Sequence, residues 1–151
     1  MNDYSAEGTK RTYHLIEGGS ELLNWFGRVP SFHDAEIISL ALNRKGESTL
    51  LLHGWVGTDK VDEKGYFVLE KHALVTFSIR EIFDLQLDGF SHQNVIGSLD
   101  LRYGAPNPER QQFYTQRDIT NAFEITLEPC FGMDGVIRCK GLSVSFKIGE
   151  P

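Results

Sequence analysis

Between Glu36 and Ile148 lie several runs in which apolar residues recur at every second position, the spacing of strands with one face turned to a core. Glu36, Ile38, Leu40 and Leu42 alternate with Ile37, Ser39, Ala41 and Asn43. After the turn Arg44-Lys45-Gly46-Glu47, Leu50, Leu52, Gly54 and Val56 alternate with Thr49, Leu51, His53 and Trp55. The two runs predict an antiparallel hairpin. A four-residue loop sets Asn43 opposite Ser48, and therefore Ile38 opposite His53 and Glu36 opposite Trp55. Residues 57–65 read as a solvated loop. A long strand follows through Phe67, Leu69, Ala73, Val75, Phe77 and Ile79, then a half-exposed one through Phe83, Leu85 and Leu87 that ends at Gly89. Ile96, Leu99, Leu101 and Tyr103 give another strand, broken at Gly104-Ala105-Pro106-Asn107-Pro108, with polar sequence to Arg117. Phe123, Ile125 and Leu127 alternate with Glu124, Thr126 and Glu128, and residues 136–148 supply one or two closing strands.

One segment has helical character. Leu22, Leu23, Trp25 and Phe26 leave only Asn24 polar, between Ser20 as N-cap and Gly27 as the residue past the end. So short a helix is not stable alone in water, which predicts that Trp25 and Phe26 hold it to the sheet. Pro30 and Ser31 then force an extended exit. Residues 1–12 read as a flexible arm and 13–151 as one antiparallel β-rich domain. About seven to nine strands, without βαβ alternation, predict a mainly β (α+β) fold. The expected form is an antiparallel sheet or sandwich with one short N-terminal helix packed on it.

Composition narrows the class. A chain of 151 residues buries roughly 68–70% of its extended surface without disulfides or a structural metal. With 40% hydrophobic and 24% charged residues it is globular rather than disordered. No apolar run approaches the ~18 residues of a membrane span, and the polar, acidic start is unlike a signal peptide. A cytoplasmic protein is expected. The net charge of −6 repels nucleic acid and anionic lipid but suits a basic protein partner. Cys130 and Cys139 lack zinc-knuckle spacing and read as small buried thiols, not a disulfide.

Candidate chemistry gathers at one place. In the predicted hairpin Glu36 and His53 share a face, with His33 and Asp34 just beyond the strand. Two imidazoles and two carboxylates are a ligand set for zinc or a similar ion, or a general base. The plainer reading is that they cap exposed N–H groups at a strand entrance. No G-x-S-x-G, H-E-x-x-H or P-loop occurs, and Cys130 is preceded by Glu128 and Pro129 rather than a base. His14, His72 and His92 are scattered. No catalytic residue and no cofactor follow from these patterns. Separately, Asp84, Asp88, Asp100, Glu124 and Glu128 occupy the polar phase of their strands, moderated by Arg102 and Lys147. On neighbouring strands they would form an acidic docking face that speeds association with a cationic protein.

The stretches Trp25-Phe26-Gly27 through Pro30-Ser31-Phe32-His33-Asp34-Ala35-Glu36, and Gly89-Phe90-Ser91-His92-Gln93-Asn94-Val95-Ile96, resemble the immunity protein 50 family. These are small cytoplasmic proteins associated with bacterial polymorphic toxin systems, and the likeness runs from about residue 20 to residue 148. It implies an antidote that binds a cognate toxin without catalysis. On that view Trp25, Phe26, Phe32, His33, Asp34 and Glu36 are architectural. The alternatives are a metal-dependent, hydrolase-like enzyme using His33, Asp34, Glu36 and His53, and a small-molecule binding domain with its pocket between the Trp25 helix and the sheet.

Overall fold

The computed structural model describes residues 6–114 and 119–151. Helices α1 (Ala6–Leu15) and α2 (Gly19–Phe26) precede strands β1 (Glu36–Ala41), β2 (Ser48–Val61), β3 (Phe67–Asp88), β4 (Val95–Gly104), β5 (Ala122–Phe131) and β6 (Asp134–Ile148). The fold is mainly β and antiparallel, as the alternation requires. The described residues hold six strands because expected breaks are bends instead. β3 runs through 22 residues, with a register shift at the left-handed Lys71 (φ 55°) and another between Ile82 and Asp84, just past the left-handed Glu81 (φ 54°).

The expected antiparallel sheet, six strands in the order β1-β2-β3-β6-β5-β4, closes on itself as a barrel. Closure is narrow. Glu36 pairs with Val95, and the residues before β1 continue the seam. The Asp34 N–H donates to the Ile96 carbonyl (2.8 Å), the Ile96 N–H to the Ala35 carbonyl (2.8 Å), and the Leu99 N–H to the Ser31 carbonyl (3.1 Å). Further along β4, the Thr9 hydroxyl of α1 takes the place of a neighbouring strand. It accepts from the Leu101 N–H (3.3 Å) and donates to the Leu101 carbonyl (3.2 Å).

Leu50, Leu52, Val75, Phe77, Leu99, Leu101, Ile125, Leu127 and Ile137 fill the core, and both helices add to it. Tyr13 of α1 is fully buried, its ring 6.5 Å from that of Phe77. Residues 6–12 are therefore helix rather than loose arm; the first five residues of the expected arm lie outside the described residues. Gly27 ends α2 in the left-handed region (φ 75°), its N–H on the Leu23 carbonyl at 2.8 Å. Its N-cap is Gly18, not Ser20, whose hydroxyl bonds to His14 Nδ1 at 2.8 Å. A Cβ on Gly18 would meet the Val144 carbonyl oxygen at 1.8 Å, so the helix start abuts β6 too closely for any side chain.

The first hairpin forms as expected with a different register. A bulge between Ile37 and Ser39 sets Glu36 opposite His53 and Ala41 opposite Thr49. β2 also extends into the expected loop. Val56, Gly57 and Val61 pair only with Glu70, Leu69 and Phe67, so this part of β2 and β3 projects from the barrel as a two-stranded ribbon. Among the described residues no helix is long and apolar enough to cross a membrane.

Candidate functional site

The segment Pro30-Ser31-Phe32-His33-Asp34-Ala35 is folded by a conflict between backbone and core. Phe32 (φ 58°) and Asp34 (φ 66°) both hold left-handed conformations that non-glycine residues rarely adopt. Such positions cost about 1–3 kcal/mol each and persist only when the surroundings impose them. Here the surroundings are the seam bonds to β4 and the Phe32 ring. That ring is 3% exposed, and packs edge-on against Phe26 (6.0 Å) and Phe77 (6.4 Å). Gly54 makes room for it, since a Cβ there would stand 2.8 Å from the ring. Phe32 and Ala35 thus point inward, while His33 and Asp34 are turned out, 62% and 61% exposed.

Once outside, the two side chains meet a third. His33 Nδ1 bonds to the Gly97 carbonyl at 3.0 Å, which presents Nε2 at 3.6 Å from Asp34 Oδ1. The Cys130 thiol, at the exposed end of β5, lies 3.9 Å from the same carboxylate oxygen. Among the described residues this is the one group of three or more His, Cys, Asp or Glu side chains gathered closely enough to hold a metal ion. The expected set is therefore divided. Glu36 and His53 stand opposite each other across the β1–β2 ladder, in a different group. There His53 Nε2 hydrogen-bonds to His72 Nδ1 (3.1 Å), and His72 Nδ1 lies 3.4 Å from Glu150 Oε1. Burial, then the charge of His72, holds His53 below the usual 6.5, against the pull of Glu150 and Glu36.

The cysteines also divide. Cys139 is buried as expected, its thiol pushed up to about 12 by burial, and is inert. Cys130 is exposed, against expectation, because β5 leaves the core at its end: residues 128–131 are all exposed. The position of Cys130 beside Asp34 is a contact across 96 residues that nothing around Cys130 in the chain announces.

The expected acidic face does not form as such. Asp84, Arg138, Glu124 and Arg102 lie side by side across β3, β6, β5 and β4, on the face opposite Leu101, Ile125 and Ile137. All four are buried. Asp84 Oδ2 accepts from Arg138 Nη1 (2.8 Å) and Arg110 Nε (3.1 Å), and Oδ1 accepts from Arg110 Nη2 (2.8 Å). Arg102 pairs with Glu124. Arg110 sits on a 3₁₀ turn (Pro108–Phe113) in the β4–β5 connection, which brings its guanidinium over this row. Burial acts to raise the Asp84 carboxyl, but the hydrogen bonds and charges of Arg110 and Arg138 outweigh it and hold the group below its usual range. Asp100 is half-buried and raised, by burial and then by Glu128. Of the five expected docking carboxylates only Asp88 and Glu128 are fully exposed.

A cleft of about 310 Å³ runs beside the strained turn, lined by Arg28, Ser31, His33 and Asp34 on one side and by Trp55, Phe67 and Leu69 on the ribbon side. The expected pocket between the Trp25 helix and the sheet is occupied by side chains. Trp25 packs on Phe146 (5.4 Å) and Phe26 (4.9 Å), with Lys71 Nζ over its ring at 5.9 Å. On the ribbon, Val61 (57%), Tyr66 (68%), Phe67 (67%) and Leu69 (42%) are exposed. No family model, curated protein or solved structure matches the chain.

Proposed function

We propose that the chain is a cytoplasmic immunity-type protein of a bacterial polymorphic toxin system, which binds and neutralises a cognate toxin without catalysis. The observation that carries this reading is the projecting ribbon. Val61 faces Phe67, Leu69 follows on the same face, and both Phe67 and Leu69 continue into the cleft. Leaving large apolar side chains in water forfeits about 1.5–3 kcal/mol each. Apolar patches of this kind, rimmed by polar groups, mark interaction surfaces. The net charge of −6 favours a cationic toxin, and Asp88 and Glu128, which stay exposed among the expected docking carboxylates, would help to steer it. The resemblance of the Ser31–Glu36 stretch to the immunity family points to the same class of partner. The cleft volume, at the lower end of the range for small-molecule sites, supports a second reading as a small-molecule binding domain.

Co-expression with the toxin gene that neighbours this one tests the proposal. The expected result is protection of the host and a complex that survives purification. Phe67→Asp combined with Leu69→Asp weakens the complex at least about ten-fold, which is 1.4 kcal/mol. Failure to protect, with no complex detected, overturns the reading.

A further inference from the structure

We infer that His33, Asp34 and Cys130 form a binding site for a zinc-class divalent cation, a site that goes beyond the partner-binding proposal and does not depend on it. The three groups offer an imidazole nitrogen, a carboxylate oxygen and a thiol sulfur, a mixture of borderline and soft donors that suits zinc better than calcium or magnesium. Their ligand atoms all lie within 4.8 Å of one another. A tetrahedral zinc ion holds nitrogen and oxygen ligands about 3.3 Å apart, and sulfur and oxygen ligands about 3.6 Å apart. The separations here are 3.6 Å for His33 Nε2 to Asp34 Oδ1 and 3.9 Å for Cys130 Sγ to Asp34 Oδ1. A contraction of a few tenths of an ångström suffices on these two sides; the third, between the His33 ring nitrogen and Cys130 Sγ, is no longer than 4.8 Å and is closed by rotation of exposed side chains.

Two observations outside the triangle point the same way. The first is the Gly97 carbonyl, which engages His33 Nδ1 and so leaves Nε2 turned toward Asp34. Metal-binding histidines are oriented in this manner, the second nitrogen bonded to a backbone oxygen. The second is the missing counter-charge. Among the described residues no lysine or arginine pairs with Asp34, whereas Asp84 has two arginines. On binding, the Cys130 thiol gives its proton to solvent as the metal–sulfur bond forms. The fourth position of the tetrahedron is left to water, since all three residues are exposed.

The test uses the full, untagged chain kept reduced by a non-thiol reductant. Titration with cobalt(II) is expected to give one ion per chain and a thiolate-to-cobalt charge-transfer band in the near ultraviolet. That band disappears in Cys130→Ser, which retains Cys139. Zinc competition against a chromogenic chelator is expected to show at least ten-fold weaker binding for His33→Ala and for Asp34→Asn. Glu36→Gln and His53→Ala leave the affinity within two-fold of the parent. Circular dichroism on each variant separates loss of binding from loss of fold. The inference is overturned if the folded, reduced parent binds neither ion, if binding survives Cys130→Ser and His33→Ala unchanged, or if the Glu36 and His53 variants prove the damaging ones.

Discussion

The row Asp84–Arg138–Glu124–Arg102 and the corner His33–Asp34–Cys130 are built from similar polar, titratable side chains and live under opposite conditions. In the row each carboxylate faces guanidinium groups and the whole is buried, with Arg110 of the β4–β5 connection brought over it. Desolvated charges are tolerable only when so matched. In the corner the groups are exposed and carried on a backbone that holds Phe32 and Asp34 in strained conformations. Pairing under cover speaks for architecture. Exposure of unmatched ligands on a strained, core-anchored turn speaks for a site.

The largest expected effect breaks the row. Glu124→Ala removes the carboxylate that Arg102 and Arg138 share. Chemical denaturation is expected to show a loss of about 3–5 kcal/mol, the usual consequence of removing one partner from a buried ionic group. A loss below about 1 kcal/mol would mean the row is not a structural unit. An intermediate effect is acid sensitivity. The Asp84 carboxyl titrates below its ordinary 3.8 when folded, so its contribution is complete above that value and is lost as the pH falls through the lower folded-state value. His53, also lowered from 6.5, destabilises in the same direction but earlier, as the pH drops below 6.5. Denaturant midpoints measured from pH 7 downward should decline in two stages, and His53→Ala should remove the earlier one. The smallest effect sharpens the contrast: in metal-free protein, His33→Ala and Cys130→Ser should each shift stability by no more than about 0.5 kcal/mol. A larger loss would move the corner into the architectural class.

Strand character was readable from alternation, and so was the end of α2, because Gly27 stops a helix for a local reason. Facing was readable only in part. A bulge inverts which side chains look inward, and nothing in Ile38, Lys71 or Phe83 marks the register shift at that point. Asp84 and Glu124 do sit in the polar phase of their strands, but the outer face of a sheet is solvated only if nothing covers it. What covers it here is a polar connection whose Arg110 is complementary to the row, a long-range match with no local signature. The His-Asp pair was visible as a motif. Its partner was not: the Cys130 contact depends on how the barrel closes, and closure is invisible to periodicity. Helix α1 is not legible in the sequence, because Thr9, Thr12 and Tyr13 carry too little apolar character to look like a buried face.

One hydroxyl group has a consequence for solution behaviour. Because Thr9 stands in for a strand beside Leu101, loosening α1 uncovers the Leu101 N–H and carbonyl on the edge of β4 while the ladder to β5 stays intact. Such a molecule has a sticky edge before it has a melted core, and the readiest complement to that edge is the same strand of another copy. Shortening the chain from its amino end should therefore produce self-association ahead of denaturation.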